Sequence, residues 1–173
     1  MIIWLNGPSS SGKTTLALEL QKQLSVNYLH FELDKFIAML PERIQEDRLA
    51  LEKNLPTLIS LFHKNIHEFS KQGFSLIVDH VFEQESWFLE CAELMINTDI
   101  LYVGLTADLG TLKKREINRG NRSIGLSEWH LGRVHNYSNY DIFIDSSKIK
   151  LSEQISIIKN HLSSSCLGLR RYE

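Results

Sequence analysis

Five short apolar runs punctuate the chain, each separated from the next by a helix-length stretch. They cover Ile2–Asn6 and residues 27–33, 74–81, 100–105 and 140–145. Continuous apolar runs of this length suit strands buried on both faces, as in a parallel sheet. Helical spacing fills the gaps. Leu16, Leu20 and Leu24 recur every four residues. Leu58, Ile59, Phe62, Ile66 and Phe69 form one stripe, which Pro56 can open at a first helical position and Gly73 can stop. Residues 152–162, with Ile155 and Ile158 inward, predict the last helix. Strand alternating with helix implies right-handed crossovers and an α/β three-layer sandwich. Residues 40–54 and 120–139 carry no clear period and are expected to be lids or substrate walls. The whole of 1–173 is expected to be a single domain, with 163–173 a loose tail.

Directly after the first apolar run come Gly7, Pro8, Ser9, Ser10, Ser11, Gly12, Lys13 and Thr14. They spell G-x-x-x-x-G-K-[ST], the phosphate-cradling Walker A pattern, with Thr15 next in the following helix. Gly7 and Gly12 allow backbone that side-chain-bearing residues resist. The loop's N–H groups then turn inward as an anion nest, and the helix starting near Lys13 adds its positive end. Lys13 supplies a compact cation for the β- and γ-phosphates, and Thr14 a hydroxyl for Mg²⁺. A chance match in a chain this long is on the order of 1%, which disfavours a ligand-free glycine turn. No guanine-type [NT]-K-x-D motif occurs, which favours ATP over GTP.

Ligands of parallel sheets gather at the carboxyl ends of strands, and two aspartates fall there. Asp79 ends the third run and suits the metal, directly or through water. Asp34 follows the second and can take the proton of an acceptor hydroxyl. The competing role for each is a helix N-cap, which Asp favours. His80, beside Asp79, reads as a packing or hydrogen-bonding histidine. Arg115, Arg119 and Arg122 follow the fourth run at helical spacing and share one face. Like charges so placed repel, so the stripe makes sense facing a polyphosphate and spreading its transition-state charge. Gly120 is expected to end that helix and put Arg122 on a lid. The alternative is a solvated face screened by Glu116.

Bulk properties narrow the function class without changing this picture. A net charge of -2 argues against a general binder of DNA or of membrane surfaces. Two cysteines, Cys91 and Cys166, make neither a disulfide framework nor a zinc spacing and read as one packed thiol and one tail thiol. The start, Met1 to Leu5, lacks a basic n-region and is too short for a signal peptide, so the expected location is cytoplasmic. Oligomeric state is left open.

The order of motifs resembles the chloramphenicol phosphotransferase-like family of small P-loop kinases. The likeness runs through Ser9, Ser10, Gly12 and Lys13, Phe31 and Asp34, and Asp79 with Val81 and Phe82. It continues through Val103, Gly104, Arg115, Glu116, Arg119, Gly120, Arg122, Gly125, Val134, His135, Tyr140, Asp141 and Asp145. The resemblance implies ATP- and Mg²⁺-dependent phosphorylation of a hydroxyl on a small molecule, chloramphenicol in the enzyme that names the family, and with it antibiotic resistance. It implies Asp34 as base and a nucleotide-kinase-type sheet of strand order 2-3-1-4-5. Three features depart from the family pattern: His80 replaces the second acid of a pair, Lys35 stands where a small polar residue is expected, and residues 40–54, where an acceptor pocket would be, look different. The acceptor therefore stays open among chloramphenicol, a sugar acid, a nucleoside and an RNA end. A non-catalytic nucleotide-binding module is the reading from another class.

Overall fold

The computed structural model describes residues 1–119, 124–137 and 139–169. Its strands are β1 (Ile2–Asn6), β2 (Tyr28–Glu32), β3 (Ser75–Asp79), β4 (Ile100–Thr106) and β5 (Ile142–Asp145). The helices are α1 (Lys13–Gln23), α2 (Leu33–Ile37), α3 (Glu42–Gln45), α4 (Arg48–Lys71), α5 (Glu85–Leu94), α6 (Leu109–Arg119), α7 (Leu126–Leu131) and α8 (Leu151–Leu169). All strand pairs are parallel, in the order β2-β3-β1-β4-β5. The fold is the α/β P-loop sandwich expected from the alternation of apolar runs.

Alternation within each strand builds two cores. Ile3 and Leu5 join Ile77, Val103 and Leu105 beneath Leu16, Ala17 and Leu20 of α1 and Ile155 and Ile158 of α8. Ile2 and Trp4 join Leu76 and Val78 beneath Ile59, Phe62 and Ile66 of α4 and Trp87 and Cys91 of α5. Every residue of β1 is buried, which explains why its sequence shows no polar alternation. Cys91 is the packed thiol expected, and burial pushes its pKa up.

Three expectations are corrected. Pro56 does not open the fourth helix but lies inside it. The helix starts at Asp47, whose carboxylate accepts from the N–H groups of Leu49 and Ala50 at 3.0 and 3.1 Å. Pro56 is exposed, so the carbonyl it leaves without an amide donor can face water. Residues 40–54 are accordingly α3 and the first turns of α4 rather than irregular wall. They hid their helicity because burial along α4 begins only at Ile59, so no apolar stripe marks the earlier turns. At the other end, α8 continues through Leu169, past the expected loose tail's start at Ser163. Serine hydroxyls there fold back on the helix, Ser163 onto the Lys159 carbonyl and Ser164 onto that of Asn160, both at 2.9 Å. Residues 170–173 and the Cys166 side chain lie outside what is described. Gly73 does stop α4, at φ 86°.

Candidate active site

The loop between β1 and α1 carries the cradle to the carboxyl end of the central strand. A Cβ on Gly7 would overlap the Leu105 carbonyl of neighbouring β4, so this position admits glycine only. Gly12 caps α1 at φ 102°, in the left-handed region. Ser10 takes φ 64° without being glycine, a conformation that costs roughly 1–2 kcal/mol and needs surrounding support.

Lys13 arches over the loop. Its ammonium donates to the carbonyls of Gly7 and Pro8 at 3.0 and 3.1 Å and lies 3.9 Å from Asp79 Oδ1. The Thr14 hydroxyl donates to Asp79 Oδ2 at 2.6 Å. Register explains the meeting: Leu5, just before the loop, pairs with Asp79, the last residue of β3. A hydroxyl and a carboxylate side by side are hard oxygen donors, and Mg²⁺ takes one or two such protein ligands, filling the rest with water and phosphate. Among the described residues no three His, Cys, Asp or Glu side chains form a metal cage. The donor set therefore fits Mg²⁺ shared with a polyphosphate better than a structural metal. No helix begins at Asp79, so it is not a cap.

Asp34 stands in the first turn of α2, where Glu32 is the N-cap, so it is not a cap either. Phe36 of the same short helix meets Phe62 of α4 edge-on at 5.5 Å, seating α2 on the second core. Asp34 thereby lines one cleft of about 900 Å³ together with Ser9 to Thr15, Asp79, Arg115 and Arg119. Arg122 lies outside the described residues. Arg115 is turned toward the loop itself: Nη1 donates to Ser146 Oγ at 2.9 Å and reaches the carbonyls of Ser10 and Ser11 at 3.4 Å, and Nη2 donates to the Ser146 carbonyl at 3.1 Å. Arg119, one turn on, is exposed at the cleft.

Several site residues escaped sequence reasoning. Glu116, read there as a screening charge, is 2% exposed. Its carboxylate accepts from Gly125 N at 2.9 Å and Ser127 N at 2.8 Å, holding the start of α7. Burial alone would raise its pKa, but these two amides hold it below the usual value. From α7, His130 reaches back to the cradle: Nδ1 accepts from Ser9 N at 3.0 Å and Nε2 lies 3.0 Å from Glu83. A polar chain also crosses the second core, from Glu90 Oε2 to His63 Nδ1 and from His63 Nε2 to His80 Nε2, each step 3.1 Å. Burial holds both imidazoles below their ordinary pKa, His80 furthest. His80 thus packs among Trp4, Phe62 and Phe82 as a hydrogen-bonding core histidine. Asn6 Nδ2 donates to the Val134 carbonyl at 2.7 Å and Tyr140 Oη at 2.6 Å, tying residues 134–140 to the end of β1. These partners lie far apart in sequence; the family resemblance included Glu116, Val134 and Tyr140, but nothing in the sequence pointed to Asn6, His63, Glu83, Glu90 or His130.

Comparison with known proteins identifies the family and the fold. The family model for chloramphenicol phosphotransferase-like proteins matches residues 1–163. Two Mycobacterium tuberculosis proteins, from strains CDC 1551 and H37Rv and provisionally named O-phosphotransferases, are 25% identical over 174 residues, covering 88% of this chain and 77% of theirs. Among solved structures, the M. tuberculosis APS kinase in complex with AMPPNP and APS superposes with a TM-score of 0.71 at 13% identity, covering 94% of this chain and 96% of the kinase. A gluconokinase from Sinorhizobium meliloti 1021 gives a TM-score of 0.70 at 16% identity, with coverage of 99% and 96%.

Proposed function

The chain belongs to the chloramphenicol phosphotransferase-like family, and on that premise we propose that it is a cytoplasmic kinase moving the γ-phosphoryl group of ATP to a hydroxyl of a small molecule. The observation that carries the reading is a single cleft holding both the phosphate cradle and a second carboxylate, Asp34, on a separate element. Loop amides and Lys13 bind the polyphosphate. Thr14 and Asp79 would hold Mg²⁺, which when bound would neutralise phosphate charge. Asp34 orients the acceptor hydroxyl and receives its proton. Arg119, with Arg122 from the segment after α6, meets charge that develops on the transferring group.

Sheet order separates the two halves of the cleft. Asp34 follows the edge strand β2, whereas Arg115 sits against Ser146 just beyond β5, the opposite edge. The lining of the cleft that Asp34 shares includes the apolar side chains of Leu33, Ile37, Leu55, Ile59, Val81 and Trp87. That apolar lining favours an alcohol with an apolar body, chloramphenicol included, over a wholly polar sugar acid. Radiolabelled Mg·ATP should be supplied with chloramphenicol, gluconate, a nucleoside and a 5′-hydroxyl RNA in parallel. Label passing to the neutral alcohol bears out the reading. Preference for gluconate would overturn the acceptor class, and nucleotide binding without transfer to any alcohol would leave a binding module.

The metal assignment makes its own prediction. Asp79→Asn keeps a neutral oxygen near Thr14 but removes the charge. The Mg²⁺ concentration for half-maximal turnover should rise about tenfold or more, while melting temperature in metal-free buffer changes little. An unchanged Mg²⁺ dependence would remove Asp79 from the metal site.

A further inference from the structure

The phosphate loop is gripped from outside at two points by consecutive helices. Arg115 of α6 reaches the carbonyls of Ser10 and Ser11, and His130 of α7 holds the amide of Ser9. Ser10, between these contacts, is the one non-glycine residue in the left-handed region among the described residues. We propose that His130 is a positioning residue for nucleotide binding, clamping the Ser9 peptide so that the loop keeps its phosphate-receiving shape before any phosphate arrives.

The chemistry of the ring supports the assignment. A backbone N–H can only donate, so His130 Nδ1 must present its lone pair to Ser9. The ring proton of the neutral tautomer then sits on Nε2, where Glu83 accepts it. Glu83 thus selects the tautomer that can hold Ser9. The imidazole is 2% exposed, so water cannot readily replace it on the Ser9 amide. Its helix is itself fixed, because Glu116 accepts from two amides at the start of α7. A loop held in a strained conformation from outside loses less freedom on binding phosphate than one that must be ordered by it.

The inference rests on the cleft being a Mg·ATP site, and its test separates the two claims. Mg·ATP affinity and hydrogen exchange at the Ser9 amide are measured on the wild type and on His130→Phe and His130→Asn. Phe keeps a ring but offers no acceptor, whereas Asn Oδ1 lies near the place of Nδ1 and can take the Ser9 hydrogen bond. Protection of Ser9 should be lost in His130→Phe and regained in His130→Asn. Mg·ATP affinity should fall about tenfold with Phe, as expected for about 1.4 kcal/mol of lost preorganisation, and recover with Asn. Ser9 protection and affinity unchanged in His130→Phe would overturn the clamp. So would an affinity loss that Asn fails to reverse although Ser9 is again protected. If the wild type binds no Mg·ATP, the nucleotide reading fails, while Ser9 exchange still decides whether His130 holds the loop.

Discussion

Asp34→Asn should abolish most phosphoryl transfer while leaving Mg·ATP binding and the fold intact. An alcohol is a poor nucleophile until its proton has somewhere to go, and a positioned base typically contributes roughly 10²–10⁴-fold. That range corresponds to about 3–5 kcal/mol of barrier. In a loose, metaphosphate-like transition state the proton leaves late, so Asp34's hold on the hydroxyl matters as much as its basicity. A carboxylate serves both tasks with two charged, basic oxygens, whereas an amide keeps one neutral acceptor oxygen that cannot take the proton. The fold should tolerate the change because Asp34 is exposed, is not the cap of α2, and contributes no side chain to either core. Transfer rate and nucleotide affinity are measured on the same protein, with the acceptor found in the panel. Transfer surviving within a few-fold would remove Asp34 from the chemistry.

The second large effect is expected at Lys13. Lys13 is 7% exposed, its ammonium bound to the Gly7 and Pro8 carbonyls and close to the Asp79 carboxylate. It is thus held at the loop before nucleotide binds, and phosphate oxygens would take up donors already desolvated. Lys13→Ala removes that cation where charge accumulates between the β- and γ-phosphates. Turnover should fall by about 10²–10³-fold, the usual result of deleting one preorganised donor to a developing oxyanion. Mg·ATP affinity should fall with it. Thermal stability should move far less, because Lys13 fills the ligand cleft rather than either core. A melting temperature that collapses while residual protein keeps its affinity would make Lys13 a structural residue and not a phosphate ligand.

These two residues were legible in the chain because their signals are local. The cradle is contiguous, and Asp34 and Asp79 each stand at the end of an apolar run. The five strands were legible for the same reason: a parallel sheet buries both faces, so each strand appears as an unbroken apolar stretch. Helix limits were less so. Exposed turns need no apolar stripe, which hid the start of α4 behind Pro56, and the serines after Leu162 gave no sign that α8 continues.

What the sequence determined by itself is therefore the sandwich, the P-loop and the placing of two carboxylates, Asp79 at the end of β3 and Asp34 just past β2. Each follows from patterns within a few residues of one another. What only the tertiary structure decided is how those parts are held. Glu116 became a helix anchor rather than a surface charge because folding brought it beneath the amides of Gly125 and Ser127. His130 became a partner of Ser9 across 121 residues of chain. Arg115, expected to face phosphate, was claimed in part by loop carbonyls and by Ser146. The physical reason is common to all three. A long polar side chain takes its role from the donors and acceptors within about 3 Å of its tip, and those are set by packing of distant segments.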